Sequence, residues 1–236
     1  MIKAVFFDLD GTLLPMDEEE FTKVYFNEMA NKMSAYGYDK KQLIDVIWNG
    51  TKAMYLNDGS KSNEQVFWEY FDSIYGQGKS VDKAIFDSFY TNEFKKTIAC
   101  CGKNTLAKEI VKFCKDNFQY VVLSTNPIFP LIGTKTRMSY VDLKEEDFDF
   151  VTAYENSRFC KPNPKYFLDL LNNFNLKPEE VIIFGNNDYE DGECANSLNI
   201  KCYLVRGNII YNPKAIHTFE EINMEDIIEV LKKHCQ

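Results

Sequence analysis

Two aspartates at alternate positions, Asp8 and Asp10, directly follow the apolar run Ala4 to Phe7 and directly precede Gly11. In an extended segment, side chains at i and i+2 share a face, so both carboxylates converge on one small volume while Gly11 lets the chain turn away. Two like charges that close are costly unless a cation lies between them or one takes up a proton. A divalent metal is the simplest relief. The plainer alternative is an edge strand that ends in a solvated acidic turn.

Three further polar clusters stand where apolar runs end or helices begin. Ser124, Thr125 and Asn126 follow the run Tyr120 to Leu123. A small hydroxyl there, with the backbone amides around it, binds a phosphoryl oxygen as a helix starts, or simply caps that helix. Lys161 lies in Cys160-Lys161-Pro162-Asn163-Pro164, where the proline after it keeps the lysine in extended backbone and lets its ammonium be aimed at one point. Gly185-Asn186-Asn187-Asp188-Tyr189-Glu190-Asp191 ends the run Val181 to Phe184. The seven cysteines are scattered without a Cys-x-x-Cys, which is neither a disulfide framework nor a zinc site. With only His217 and His234 present, carboxylates are left to carry acid/base work.

The Asp-x-Asp-Gly-Thr at the N-terminus, followed in order by Thr125, Lys161 and the Gly185 to Asp191 cluster, resembles the motif series of the haloacid dehalogenase superfamily. The resemblance implies an aspartate nucleophile at Asp8 and a general acid/base at Asp10. It implies phosphate binding by Thr125 and Asn126, with Ser124 as the alternative to Thr125, and by Lys161, which neutralises the nucleophile and the transferring phosphoryl group. Mg²⁺ is the implied cofactor, held by Asp8, Asp10 and the residue after Gly185. The superfamily pattern has an acid at that position, whereas this chain has Asn186. An amide oxygen still ligates Mg²⁺, with one negative charge fewer in the cage. Asp191 matches the second acid of the pattern and, one turn into the next helical segment, supports the site from behind the ligands; Asp188 is the alternative ligand.

The implied activity is Mg²⁺-dependent hydrolysis of a small phosphomonoester through an aspartyl-phosphate. A phosphomutase built on the same residues is the alternative within the enzyme class, and a catalytically weak binding or regulatory protein is the alternative outside it. A dehalogenase fits less well, since halide departure needs no acid at Asp10. No motif names the substrate.

A formal net charge of −9 weighs against a nucleic-acid backbone or an anionic membrane surface as partner. No apolar run approaches the roughly 20 residues needed to span a bilayer, and the N-terminus has no signal-peptide layout. The expectation is a cytoplasmic enzyme whose partner is a small-molecule phosphate ester, with the oligomeric state open.

Positioning these residues requires a particular set of elements. Asp17 caps a helix running to Gly37, a second helix spans Asp39 to Asn57, and Ser62 with Gln65 forms a capping box for a third that ends at Gly76. Ser80 opens a fourth, carrying Ile85, Phe86, Phe89 and Phe94. These predict a small bundle with an aromatic core. From Thr105, the cap of a helix to Asn117, helices and strands alternate: strands at 120–125, 148–151, 181–185 and 201–205, helices starting at Pro127 and Pro164 and covering Asp191 to Leu198, and a closing helix over Met224 to Lys233. Runs apolar on both faces and separated by helices predict a parallel sheet between two helical layers, with the ligand crevice at the carboxyl ends of its strands. The fold class is therefore α/β: a Rossmann-like core of residues 1–14 and 97–236, with a helical cap of residues 15–96 inserted after the first strand.

Overall fold

The structure is a computed structural model and describes residues 1–76 and 82–235. In chain order it contains β1 (Ala4–Phe7), α1 (Glu18–Ser34), α2 (Lys40–Tyr55), α3 (Asn63–Tyr75), α4 (Lys83–Thr91), α5 (Ala107–Asn117), β2 (Tyr120–Leu123), α6 (Leu131–Met138), β3 (Phe150–Val151), α7 (Lys165–Phe174), β4 (Val181–Gly185), α8 (Cys194–Asn196), β5 (Lys201–Val205), β6 (Glu220–Ile222) and α9 (Ile227–Lys232). The strands form one parallel sheet in the order β3-β2-β1-β4-β5-β6.

β1 is central and wholly buried. Its side chains alternate between layers: Val5 and Phe7 join the apolar cluster that includes α5 and α9, while Ala4 and Phe6 join the one built on α7 and α8. Phe7, Phe184 and Tyr203 are register partners across β1, β4 and β5 and stack with ring centroids 5.3 and 5.6 Å apart. This ladder fixes the strand ends from which the polar clusters project.

The chain leaves β1 and enters helices α1 to α4 before returning to the sheet. Asp17 and Asp39 cap α1 and α2 through N–H bonds from Glu20 and Gln42, and the Ser62–Gln65 capping box is formed. The expected helix start at Ser80 lies outside the described residues. The aromatic interior of these helices continues into the core, since Phe21 and Tyr25 of α1, with Phe94 of the 3-10 helix Glu93–Cys100 that follows α4, pack against Phe129 in the segment after β2.

Several boundaries differ from the sequence-based expectation. Thr105 does not cap α5; Asn104 Oδ1 instead accepts the N–H groups of Leu106, the N-cap residue, and Ala107. Helix α6 begins at Leu131 and not at Pro127: Pro130 is extended and keeps the residue before it out of helical backbone, and the Glu155 carboxylate accepts the Leu131 N–H at 3.0 and 2.9 Å in the first turn. Residues Asp188–Glu193 form a π-helical turn that hands over to the short α8. The edge strand β6 was not expected; it is three residues long and mostly charged, which hides it from a search for apolar runs. The seven cysteines are free thiols. Among the described residues, no helix is long and apolar enough to cross a membrane.

Candidate active site

At the carboxyl end of β1, the Asp8 N–H donates to the carbonyl of Phe184 on β4, and the Ser124 N–H donates to the carbonyl of Phe7. The ends of three neighbouring strands therefore meet around Asp8. Lys161, in the turn before α7, reaches the same point: its Nζ lies 2.8 Å from Asp8 Oδ1 and 2.6 Å from Asp191 Oδ1, and all three side chains are buried. One ammonium thus serves two carboxylates. Burial pushes the Asp8 carboxyl up to about 8; Lys161 opposes the shift, and Asp191 and Asp10 add to it. Burial works against the Lys161 charge, but Asp191 and Asp8 outweigh it and hold the ammonium well above its usual range.

The lysine is aimed through its backbone. Asn126 Oδ1 accepts the Lys161 N–H at 3.2 Å, and Asn126 Nδ2 donates to the Lys161 carbonyl at 3.2 Å, so one side chain clamps both sides of the residue. The Asn126 amide thus braces the lysine as well as lining the cavity over the site. Thr125 lines that cavity too, its carbonyl fixed by the hydroxyls of Thr152 and Tyr166. Ser124 instead turns back, its Oγ donating to the Phe7 carbonyl.

Asn186 faces Asp8 across Thr12, whose hydroxyl is 3.4 Å from both Asp8 Oδ2 and Asn186 Oδ1. Asn186 Nδ2 donates to the Asn208 carbonyl at 2.9 Å, which turns the amide oxygen toward the aspartate. The side chain packs so closely under the Asp-x-Asp loop that a Cβ at Gly11, where φ is +75°, would fall 2.1 Å from it. Asp191 sits behind: its Oδ2 accepts the N–H groups of Asn186 and Asn187, each at 3.1 Å, and a Cβ at Gly185 would collide with its carboxyl. Asp188 is turned elsewhere and accepts the Asn212 N–H.

This donor set bears on a metal. Among the described residues, no group of three His, Cys, Asp or Glu side chains gathers into a closed cage. What fronts the cavity is Asp8, whose Oδ2 accepts only the long 3.4 Å contact from Thr12, the oriented amide oxygen of Asn186, and Asp10, whose Oδ1 is buried with no hydrogen-bond partner. Few protein oxygens and room for water suit Mg²⁺, which keeps much of its hydration shell, and would not suit a zinc cage.

Three residues of the site escaped the sequence reading. Arg137, on α6, is fully buried, ion-pairs with Asp10 and lies with its guanidinium carbon 4.4 Å from the centre of the Phe129 ring. Burial raises the Asp10 carboxyl, and Arg137 and Lys161 pull it back. A faint signal existed: Arg137 is one of three arginines among 27 basic residues, and arginine is favoured over lysine for buried pairing. Glu190 accepts from Asn126 Nδ2 at 2.9 Å and from the hydroxyl of Tyr55, the last residue of α2, at 3.3 Å. Tyr55 and Glu190 thereby tie the inserted helices to the core.

A cavity of about 270 Å³ opens above these groups, floored by Asp8, Asp10, Thr125, Lys161 and Asn186 and walled by α1, α2, α3, α4 and the Phe129 segment. A parallel α/β sheet with carboxylates and a lysine at its strand ends under helices inserted after the first strand is a Rossmann-like arrangement. The family model described as haloacid dehalogenase-like hydrolase matches residues 5–205, and the chain belongs to that family. A search of the curated proteins finds no match. Among solved structures, a Thermotoga maritima protein assigned as beta-phosphoglucomutase is 22% identical, with 98% of this chain and 99% of that one covered at a TM-score of 0.56. A HAD phosphatase from Thermococcus onnurineus is 18% identical, with 98% of each chain covered and a TM-score of 0.58. L-2-haloacid dehalogenase from Xanthobacter autotrophicus is 15% identical, with 98% and 99% covered and a TM-score of 0.57. At these identities the likeness is one of fold.

Proposed function

We propose that this hydrolase cleaves a small phosphomonoester, with Asp8 as the nucleophile and Asp10 as the general acid/base. The observation that carries the reading is the buried arrangement of Asp8 with Lys161 at 2.8 Å, two residues from a second carboxylate that fronts the same cavity. Asp8 Oδ2, on the side away from Lys161, attacks phosphorus and forms an aspartyl-phosphate. Asp10 gives its proton to the departing alkoxide, then takes one from the water that opens the intermediate. To act as the acid it first leaves Arg137 and takes up a proton from solvent, which its burial favours, and it is then protonated when it meets the leaving oxygen. Lys161 offsets charge on the phosphoryl oxygens, and Thr125 with its neighbouring amides orients one of them. Asp8, Asp10 and Asn186 would hold Mg²⁺, which when bound neutralises the equatorial oxygens, with Asp191 fixing Lys161 and the Asn186 backbone from behind. Residues 15–96 would act as the cap over a core of 1–14 and 97–236, excluding bulk water from the reacting atoms.

Asp10 favours a phosphatase over a dehalogenase, because a carboxylic acid positioned for the leaving group serves alkoxide departure and not halide loss. The test is turnover of a generic phosphate ester with Mg²⁺, combined with trapping of phosphate on Asp8 by rapid acid quench and peptide mass spectrometry. Turnover with label on Asp8 is the expected result. A labelled enzyme that returns the phosphoryl group to a second substrate and releases no free phosphate would convert the reading to a mutase.

A further inference from the structure

We infer that the ester this site takes carries an apolar, ring-bearing organic group, not a sugar, a polyol or a second anion; the inference rests on the phosphatase reading for the chemistry and on the cavity walls for the selectivity. The floor of the cavity holds the charged groups, but the walls that the organic moiety must meet present Tyr25, Phe26, Trp48, Trp68, Tyr90 and Phe129. Their polar atoms are largely turned on one another. The hydroxyls of Tyr25 and Tyr90 are 3.0 Å apart, which leaves that pair one spare O–H, and Trp68 Nε1 donates to the Tyr154 hydroxyl at 3.3 Å. Thr22 and Thr51 add one hydroxyl each. A hexose or glyceryl group would bury several hydroxyls against ring faces, and each left unpaired loses the water it was bound to. A ring loses nothing of the kind and gains stacking or edge contacts with several of these side chains.

Charge points the same way. Lys161 and Arg137 are the cations lining the cavity, and both lie at its floor in pairs with Asp8, Asp191 and Asp10. The acidic side chains on the walls are Glu18, Asp87, which ion-pairs with Lys83, and Glu190, which accepts from Asn126 and Tyr55, so a second phosphate or carboxylate at the far end would find no lining cation to pair with. The volume of about 270 Å³ lies near the lower end of organic-ligand pockets, about 300–1,000 Å³, and accommodates a phosphoryl group with one ring and a short tether.

The experiment compares non-hydrolysable phosphonates on the wild-type, Mg²⁺-loaded enzyme by calorimetry, using 2-phenylethylphosphonate, ethylphosphonate and 3,4-dihydroxybutylphosphonate. In parallel, kcat/KM is measured for 2-phenylethyl phosphate, glycerol phosphate and glucose 6-phosphate, all of which release alkoxides, so that leaving-group chemistry does not decide the ranking. The phenylethyl compounds should lead by about tenfold or more. Trp48→Ala, at a half-exposed position that packs on Phe26, should weaken 2-phenylethylphosphonate by roughly fivefold, the range of one aromatic contact, and ethylphosphonate by less, with circular dichroism confirming that the variant is folded. Equal or tighter binding of the dihydroxylated compound, or a lead for glucose 6-phosphate, would overturn the inference while leaving the phosphatase reading in place. Absence of any turnover with the phenylethyl preference intact would overturn the reaction and support the selectivity of the walls.

Discussion

Arg137 reaches across from α6 to ion-pair with Asp10 while its guanidinium rests on Phe129, so the carboxyl proposed as general acid/base is held by a cation that belongs to the core and not to the inserted helices. The pair leaves two polar atoms unsatisfied, since the buried Arg137 Nε and Asp10 Oδ1 have no hydrogen-bond partner. Removing one member of a buried ion pair costs about 3–5 kcal/mol because the other charge is stranded. Asp10 retains 22% exposure, which places the expected loss for Arg137→Met at the low end, about 3 kcal/mol. Urea denaturation measures it. A loss under about 0.5 kcal/mol, the scale of a surface substitution, would show that the pair is incidental.

Asp8→Asn should abolish turnover and leave the fold intact. The change is nearly isosteric, Lys161 keeps Asp191 at 2.6 Å, and an amide cannot form the acyl-phosphate. Steady-state assay together with circular dichroism separates the two effects. Residual activity at even a tenth of the wild-type rate would remove Asp8 from the nucleophile role.

The raised Asp8 carboxyl makes metal binding pH-dependent. In the metal-free protein this group gives up its proton only near pH 8, because of burial and the neighbouring Asp191, so Mg²⁺ must displace a proton at lower pH. Apparent Mg²⁺ affinity should therefore climb as pH rises toward about 8 and level off above it. Folding follows the opposite sign: a carboxyl raised in the folded state binds more protons there than in the unfolded chain. Metal-free stability should accordingly fall as pH rises from about 4 to 8. Calorimetric titrations in buffers of different ionisation enthalpy would count the released proton. A flat affinity from pH 6 to 9 would contradict the assignment.

Asn186→Asp should tighten Mg²⁺ about tenfold for each 1.4 kcal/mol of added attraction. The structure adds a cost that the residue type alone does not reveal. Asn186 Nδ2 donates to the Asn208 carbonyl at 2.9 Å, and an aspartate would set two acceptors against each other there. The same variant should thus bind Mg²⁺ more tightly yet unfold about 1 kcal/mol more easily when metal-free. Unchanged Mg²⁺ affinity would take Asn186 out of the ligand set.

Much of this arrangement was legible because it is local. Asp8, Asp10, Thr125, Lys161, Asn186 and Asp191 each sit where an apolar run stops or a helix begins, and a parallel sheet brings such ends to one edge. The caps at Asp17 and Ser62 were legible for the same reason. Arg137 was not. Its place depends on how α6, which starts at Leu131 after Pro130, docks over Asp10, and that docking is a tertiary contact between residues 127 apart that the helix's own sequence does not mark. Glu190 and Tyr55 are likewise joined only across 135 residues, and nothing in either neighbourhood marks the pairing.

That long-range pairing carries the last expectation. The Tyr55 hydroxyl, at the end of α2, donates to Glu190 Oε1 at 3.3 Å and accepts from Asn126 Nδ2 at 3.1 Å, while Asn126 holds the backbone of Lys161. Any opening of the inserted helices away from the core must break these bonds, and closing must remake them. Tyr55→Phe removes the hydroxyl but keeps the ring, and Glu190 retains its 2.9 Å bond from Asn126, so the floor of the site stays assembled. A hydrogen bond of this kind is worth about 0.5–1.5 kcal/mol net, which corresponds to roughly a two- to tenfold shift toward an open form. A shift confined to opening raises KM by that factor and changes kcat little, because the reacting groups are untouched once substrate closes the site. Hydrogen exchange at the C-terminal turn of α2 should quicken in the same variant. A fall in kcat with KM unchanged would instead place Tyr55 among the groups that act on the phosphoryl transfer, and unchanged kinetics with unchanged exchange would show that the helices do not move on this contact.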